Sequence, residues 1–255
     1  MNSAFMRKIA PFLSFAVLIL AWDFLVRFSN LNTHVLPGPY TVFLSMIELI
    51  ANGAIFKHTV ASLFRVTVGF YIAAIFGIPL GIILGRSRTA ALLLNPVIHF
   101  LRPISPLAWI PLAMLWFGIG DQPAVFLIFL SSFFPIVVAT TVAVQSINPT
   151  YFYVAANFDF SRKEVIQKIV IPAIIPAIIT ALRLTVTIAW IVVVAAEMIA
   201  VQSGLGYLIL DSRNGLRLDY VMDGMIVIGL IGLYLDYIMR RLGRIDSASW
   251  GVRHN

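Results

Sequence analysis

The chain has no cysteine among its 255 residues. That excludes disulfides and thiolate metal sites. Its four histidines, His34, His58, His99 and His254, are scattered without metal-ligand spacing, and no serine sits in a nucleophile motif. Charge is scarce too. Only 11% of residues are Asp, Glu, Lys or Arg, where a soluble domain carries about 25%. A nucleotide loop is also missing: Gly81 to Ser87 lacks both the spacing and the lysine of G-x-x-x-x-G-K-[ST]. The chain therefore has no visible means of binding ATP, no expected metal site and no catalytic constellation.

What remains is apolar. The hydrophobic fraction is 60% and the mean hydropathy is +0.96, values of an integral membrane protein built as one all-α bundle. The net charge of +7 does not imply a nucleic-acid partner, because the basic residues gather at the ends of apolar runs. Crossing about 30 Å of hydrocarbon takes roughly 20 apolar residues. On that ruler six spans are expected, at 9–28, 66–84, 90–117, 124–144, 171–201 and 221–239. The first begins like a signal peptide, with Arg7 and Lys8 ahead of its apolar run, but that run reaches Phe28 without a cleavage site and reads as a retained span. The third is overlong, and Pro96, Pro103, Pro106 and Pro111 predict a break within it.

Orientation follows from the basic residues. With the N-terminus inside, cytoplasmic segments hold eleven Lys and Arg against five outside, as the positive-inside rule requires. Residues 30–60 are then external, with a turn at Leu36-Pro37-Gly38-Pro39 and a surface helix over 40–51.

The second span carries Gly69, Ala73, Gly77, Gly81 and Gly85, one every four residues. This spacing puts small residues on one helix face and predicts close packing against another helix of the same chain.

Between the fourth and fifth spans lies a polar, helix-forming stretch that cannot sit in lipid. Asn148-Pro149 offers an N-cap followed by proline at the first helical position. Ser161-Arg162-Lys163-Glu164 forms a capping box. These signals predict a short helix over 149–157, a turn at 158–160, and a second helix leading to Pro172. Tyr151, Phe152, Tyr153, Phe158 and Phe160 place aromatics in a water-facing loop, which points to a protein partner.

This stretch resembles the cytoplasmic coupling loop of binding-protein-dependent ABC importer permeases, whose motif is E-A-A, then G four residues on, then I-x-L-P. Aligned on Pro172, Ile169 and Ile171 match the I-x-L. Ala155 matches the second alanine and Val154 replaces the first; Tyr153 stands for the glutamate and Asp159 for the glycine. The run from Arg102 to Gly120 is similar to the third span of the nitrate/sulfonate/taurine/bicarbonate branch. So is Ala195-Ala196-Glu197-Met198 leading into Ser203-Gly204-Leu205-Gly206-Tyr207.

The resemblance implies a type I importer permease (MetI-like) fold, with 1–57 a first span plus external elements, 58–243 a five-helix core with its coupling loop at 148–168, and 244–255 a cytoplasmic tail. It implies a transport subunit, not an enzyme, in a bacterial cytoplasmic membrane. Its partners would be a second copy of the permease, two ATPase subunits that bind ATP and Mg, and an external substrate-binding protein. The coupling contacts would fall on Tyr153, Val154, Ala155, Ala156, Asp159 and Phe160.

A charge at mid-bilayer costs about 2.5–3.5 kcal/mol on insertion scales. Asp23 and Asp236 lie near span ends and are expected to be solvated at the interface. Arg102, Arg183 and Glu197 are harder to place; with Trp109 they are candidates for the translocation path, or Glu197 pairs with Arg183 or Arg102 for structural reasons. A secondary transporter driven by an ion gradient is the alternative function, although the two halves of the chain show no pseudo-repeat.

Overall fold

Apolar runs with few charges become long helices, because in lipid a helix is the way a single segment satisfies its own backbone. The computed structural model describes residues 3–28 and 36–245, with side chains over 13–28 and 36–241. The expected tail at 244–255 lies, but for the end of the last helix, outside the described residues, as does most of the loop ahead of Leu36.

The chain runs through α1 (Ser3–Phe28), α2 (Pro39–Ala51), α3 (Ala54–Arg86), α4 (Arg88–Leu101), a 3-10 turn (Pro106–Trp109), α5 (Ile110–Phe117), α6 (Asp121–Gln145), α7 (Pro149–Asn157), α8 (Arg162–Val165), a π turn (Ile166–Val170), α9 (Ile171–Ala200), α10 (Leu205–Asn214) and α11 (Leu218–Ile245). Among the described residues, four helices are long and apolar enough to cross a membrane: α3, α6, the continuous helix from Arg162 to Ala200, and α11. The expected third span is two pieces, Arg88–Leu101 and Pro106–Phe117, bent by 86°. Pro103 and Pro106 lie at the bend, where each lacks a backbone donor and obstructs the preceding turn. Counting the bent pair gives five crossings, and the 26-residue α1 is about 39 Å long at 1.5 Å per residue, enough for the sixth.

The glycine face of α3 settles against α6. A Cβ added at Gly69 would stand 2.7 Å from Ile128 and 2.8 Å from the Val125 carbonyl. At Gly81 it would meet Thr140 at 2.5 Å, and at Gly85 Val144 at 2.5 Å. Small residues let the two backbones approach, and Thr141 Oγ1 donates across the seam to the Gly81 carbonyl at 3.3 Å.

Elsewhere the apolar core is divided. One cluster joins Ile110 and Ala113 of α5 to Leu127 of α6 and Val192 and Ala196 of α9, with Trp109 packed on it. Another joins Ala143, Val144 and Ile147 to Val170 and Ile174. That second cluster anchors the segment following α6, with Phe152 and Val165 packed against it.

The surface helix appears as α2, started by Pro39. It docks on α11 through Ser45, whose hydroxyl lies 2.6 Å from the buried Asp223 carboxylate. Arg217 braces the same end by contacts to Glu48 at 3.2 Å and Asp219 at 2.9 Å. Hydrogen bonds from the Tyr220 hydroxyl and from Arg217 hold the Glu48 carboxyl below the usual carboxylate range.

Candidate coupling and translocation sites

The segment between α6 and α9 is built from the capping signals in its sequence. Asn148 Oδ1 accepts the Thr150 N–H at 2.9 Å and starts α7. Ser161 and Glu164 form a reciprocal capping box: Ser161 Oγ accepts the Glu164 N–H at 3.3 Å and Glu164 accepts the Ser161 N–H at 3.0 Å. Between the helices α7 ends in a left-handed turn. Asp159 has φ 54°, its N–H donates to the Ala156 carbonyl at 3.2 Å, and the Phe160 N–H donates to the Ala155 carbonyl at 3.0 Å. This is a Schellman ending, whose left-handed position favours glycine. The importer motif has its glycine there. Aspartate is one of the few other residues that tolerate the conformation, so the replacement preserves the turn.

The second helix, expected to lead to Pro172, continues past it. The chain passes from α8 through the π turn into α9 without a break. Two residues beyond the turn sits Pro172, whose missing N–H and ring would disturb regular i to i−4 bonding; a π turn is where a helix absorbs such a fault.

The six proposed coupling residues separate by exposure. Tyr153 (71%) and Val154 (47%) are exposed, as are Ala156 and Asp159, while Phe160 is half-buried. Ala155 is buried at 2% and faces the chain's own interior. Tyr151 and Phe158 extend the exposed aromatic face. Arg86, at the end of α3, lies 4.2 Å over the Phe152 ring, tying this segment to that end of the bundle.

The path candidates do not converge. Arg102 is exposed at the end of α4, and Trp109 is half-buried against the α5–α6–α9 cluster. His99 is exposed. Arg183 pairs with Asp236 at 3.1 Å, and Asp236 also holds Arg240 at 2.7 Å. Asp236 is therefore tied into ion pairs rather than simply solvated, and Asp23 likewise pairs with Arg27 at 2.7 Å.

Glu197 pairs with neither Arg183 nor Arg102. Its partner is Arg65 of α3, with Nη1 2.6 Å from Oε1, and both side chains are withdrawn from solvent (0% and 2% exposed). Arg65 Nη1 also donates to the Ser203 carbonyl at 2.8 Å, and Nε donates to Asp121 Oδ1 at 2.8 Å. Glu197 Oε2 accepts from Ser62 at 2.8 Å and from the Gly206 N–H at 3.0 Å. His58 Nδ1 accepts the Gly204 N–H at 3.0 Å, and Ser62 Oγ the Leu205 N–H at 2.9 Å.

The loop from α9 to α10 is thus held on α3 by its own backbone. This explains the glycines that follow the glutamate. Gly204 has φ 105°, and a Cβ there would collide with the Glu197 carboxylate; at Gly206 it would collide with the Val194 carbonyl.

Sequence reasoning missed Arg65, Asp121 and Asp223. A signal for Arg65 was present: it lies four residues before Gly69, on the same stride that marks the buried face of α3.

Comparison with known proteins agrees with this architecture. Residues 77–245 match the model of the family described as "Binding-protein-dependent transport system inner membrane component". The putative aliphatic sulfonates transport permease protein SsuC of Bacillus subtilis is 34% identical over 90% of this chain and 83% of its own. The nitrate import permease protein NrtB of Synechocystis is 35% identical over 90% of this chain and 86% of its own. Among solved structures, an inward-facing form of the MetNI methionine ABC transporter superposes with a TM-score of 0.65 at 15% identity, covering 73% of this chain and 93% of its own; that likeness concerns the fold. The chain belongs to the inner-membrane permease components of binding-protein-dependent transport systems.

Proposed function

We propose that this permease imports a small oxyanion, of the kind named by nitrate, bicarbonate, taurine or an alkanesulfonate, as a homodimer with two ATPase subunits and an external binding protein. What supports the anion is its relatives' names, a sulfonate permease and a nitrate permease at nearly equal identity. ATP and Mg are bound by the ATPase partners. The N-terminus lies in the cytoplasm of a bacterial cell, and the core at 58–243 encloses the path, with Arg102, Trp109, Arg183 and Glu197 as its charged and aromatic candidates.

The observation that carries the coupling role is the exposed face of Tyr153, Val154, Ala156 and Asp159 on a segment wedged rigidly between α6 and α9. ATP binding draws the ATPases together, the segment moves with them, and α6 and α9 follow. A permease with no nucleotide site of its own changes state only through the different contacts this face makes in each state.

The test is uptake by the intact complex in proteoliposomes, using labelled nitrate, bicarbonate, taurine and ethanesulfonate in turn. ATP-dependent accumulation of one of them is expected. Accumulation that ignores ATP and collapses with the ion gradient would instead favour a secondary transporter.

A further inference from the structure

Arg65 stands at the floor of a cavity of about 460 Å³ lined also by Gly120, Asp121, Val201, Gln202 and Ser203. It is far from the coupling segment: twenty-one residues of α3 separate it from Arg86, about 32 Å of helix. The two carboxylates on this guanidinium differ in kind. Glu197 is sealed in, whereas the Asp121 side chain is 56% exposed. Asp121 Oδ1 lies 2.8 Å from Nε and 2.6 Å from Nη2 of Arg65, against the outward edge of the guanidinium. Nη2 also reaches Ser203 Oγ at 2.5 Å.

The geometry points to an oxyanion-exchange site: the Asp121 carboxylate occupies a place that a nitrate, bicarbonate or sulfonate group takes when Asp121 swings out. A guanidinium edge suits any planar or tetrahedral oxyanion with two oxygens to offer. Arg65 is pre-oriented for it, because Glu197 and the Ser203 carbonyl fix Nη1. The exchange leaves the charge of the cluster unchanged, so the incoming anion displaces a counter-ion instead of meeting a bare cation. Gln202 and the Ser203 hydroxyl offer further hydrogen bonds at the rim. This assignment rests on the anionic substrate proposed above and adds the place where that anion first meets the chain.

The absence of native cysteine supplies the experiment. In the assembled complex in phosphatidylcholine nanodiscs, Gln202→Cys is the sole thiol of this chain, and its modification by a maleimide is timed with and without added nitrate, bicarbonate, taurine or ethanesulfonate. One of these anions should slow the modification, and Asp121→Asn should lower the anion concentration needed by about tenfold, the change that loss of one competing charge pair brings. Arg65→Lys should abolish protection while Asp121→Asn keeps the complex assembled. Unchanged labelling with all four anions, in a complex that still accumulates one of them with ATP, would overturn the site and leave the transport reading standing. Protection produced by phosphatidylglycerol in the disc, with no soluble anion, would assign the cavity to a lipid headgroup and overturn it equally.

Discussion

Single residues carry much of what is specific to this permease. Asp159 holds a left-handed position that aspartate fills with less ease than glycine. Asp159→Gly is expected to stabilise the turn by about 1 kcal/mol, and Asp159→Val to destabilise it by about 1–2 kcal/mol; thermal unfolding of the purified protein compares them.

Glu197 is the other such residue. Removing it leaves the Arg65 guanidinium buried with one of its two carboxylate partners gone, so Glu197→Ala should cost about 3–5 kcal/mol, read as a lowered Tm. Gly204→Ala should damage the same loop without touching a charge, because its new methyl falls on the Glu197 carboxylate.

The Glu197 pair also shows where sequence reading reached its limit. A charge inside an apolar run is conspicuous, and Glu197 and Arg183 were visible for that reason. Their partners were not, since Arg65 lies 132 residues from Glu197 and Asp236 lies 53 from Arg183. Such pairing follows from the packing of helices and not from local pattern.

At the scale of elements, helix starts and the small-residue face were legible because each is a local rule. The Asn148 cap, the Ser161 capping box and the α3 stripe all appear where their residues place them. The continuity through Pro172 was not, because a π turn leaves no composition signature.

The stripe gives a paired prediction. Gly81→Leu must push α3 off Thr140 and the Val137 carbonyl, an overpacking cost of about 1–3 kcal/mol. Gly229→Ala in α11, where nothing lies within 4 Å, should be neutral or raise stability by up to about 1 kcal/mol. Comparing their melting temperatures in detergent separates tight packing from helix propensity.

The face proposed for coupling gives a prediction of its own. Ala156→Arg is the informative change there, since Ala156 is exposed and Ala155 is not. It should release the ATPase during purification while membrane insertion and the Tm of the permease stay unchanged; loss of folded protein would show that the face is internal packing.

The whole molecule is a bundle with two specialised ends. At one, aromatic residues and a rigid turn stand clear of the apolar core. At the other, a buried arginine gathers two carboxylates and a glycine loop around a polar cavity. The long helices α3 and α9 run between them. The proposed coupling role requires an ATPase bound at the aromatic end. Native mass spectrometry of the complex, purified gently from its own membrane, measures that assembly directly. The account predicts a particle with two copies of this chain and two ATPase subunits. A particle that contains this chain without any ATPase, and still transports on reconstitution, would contradict it.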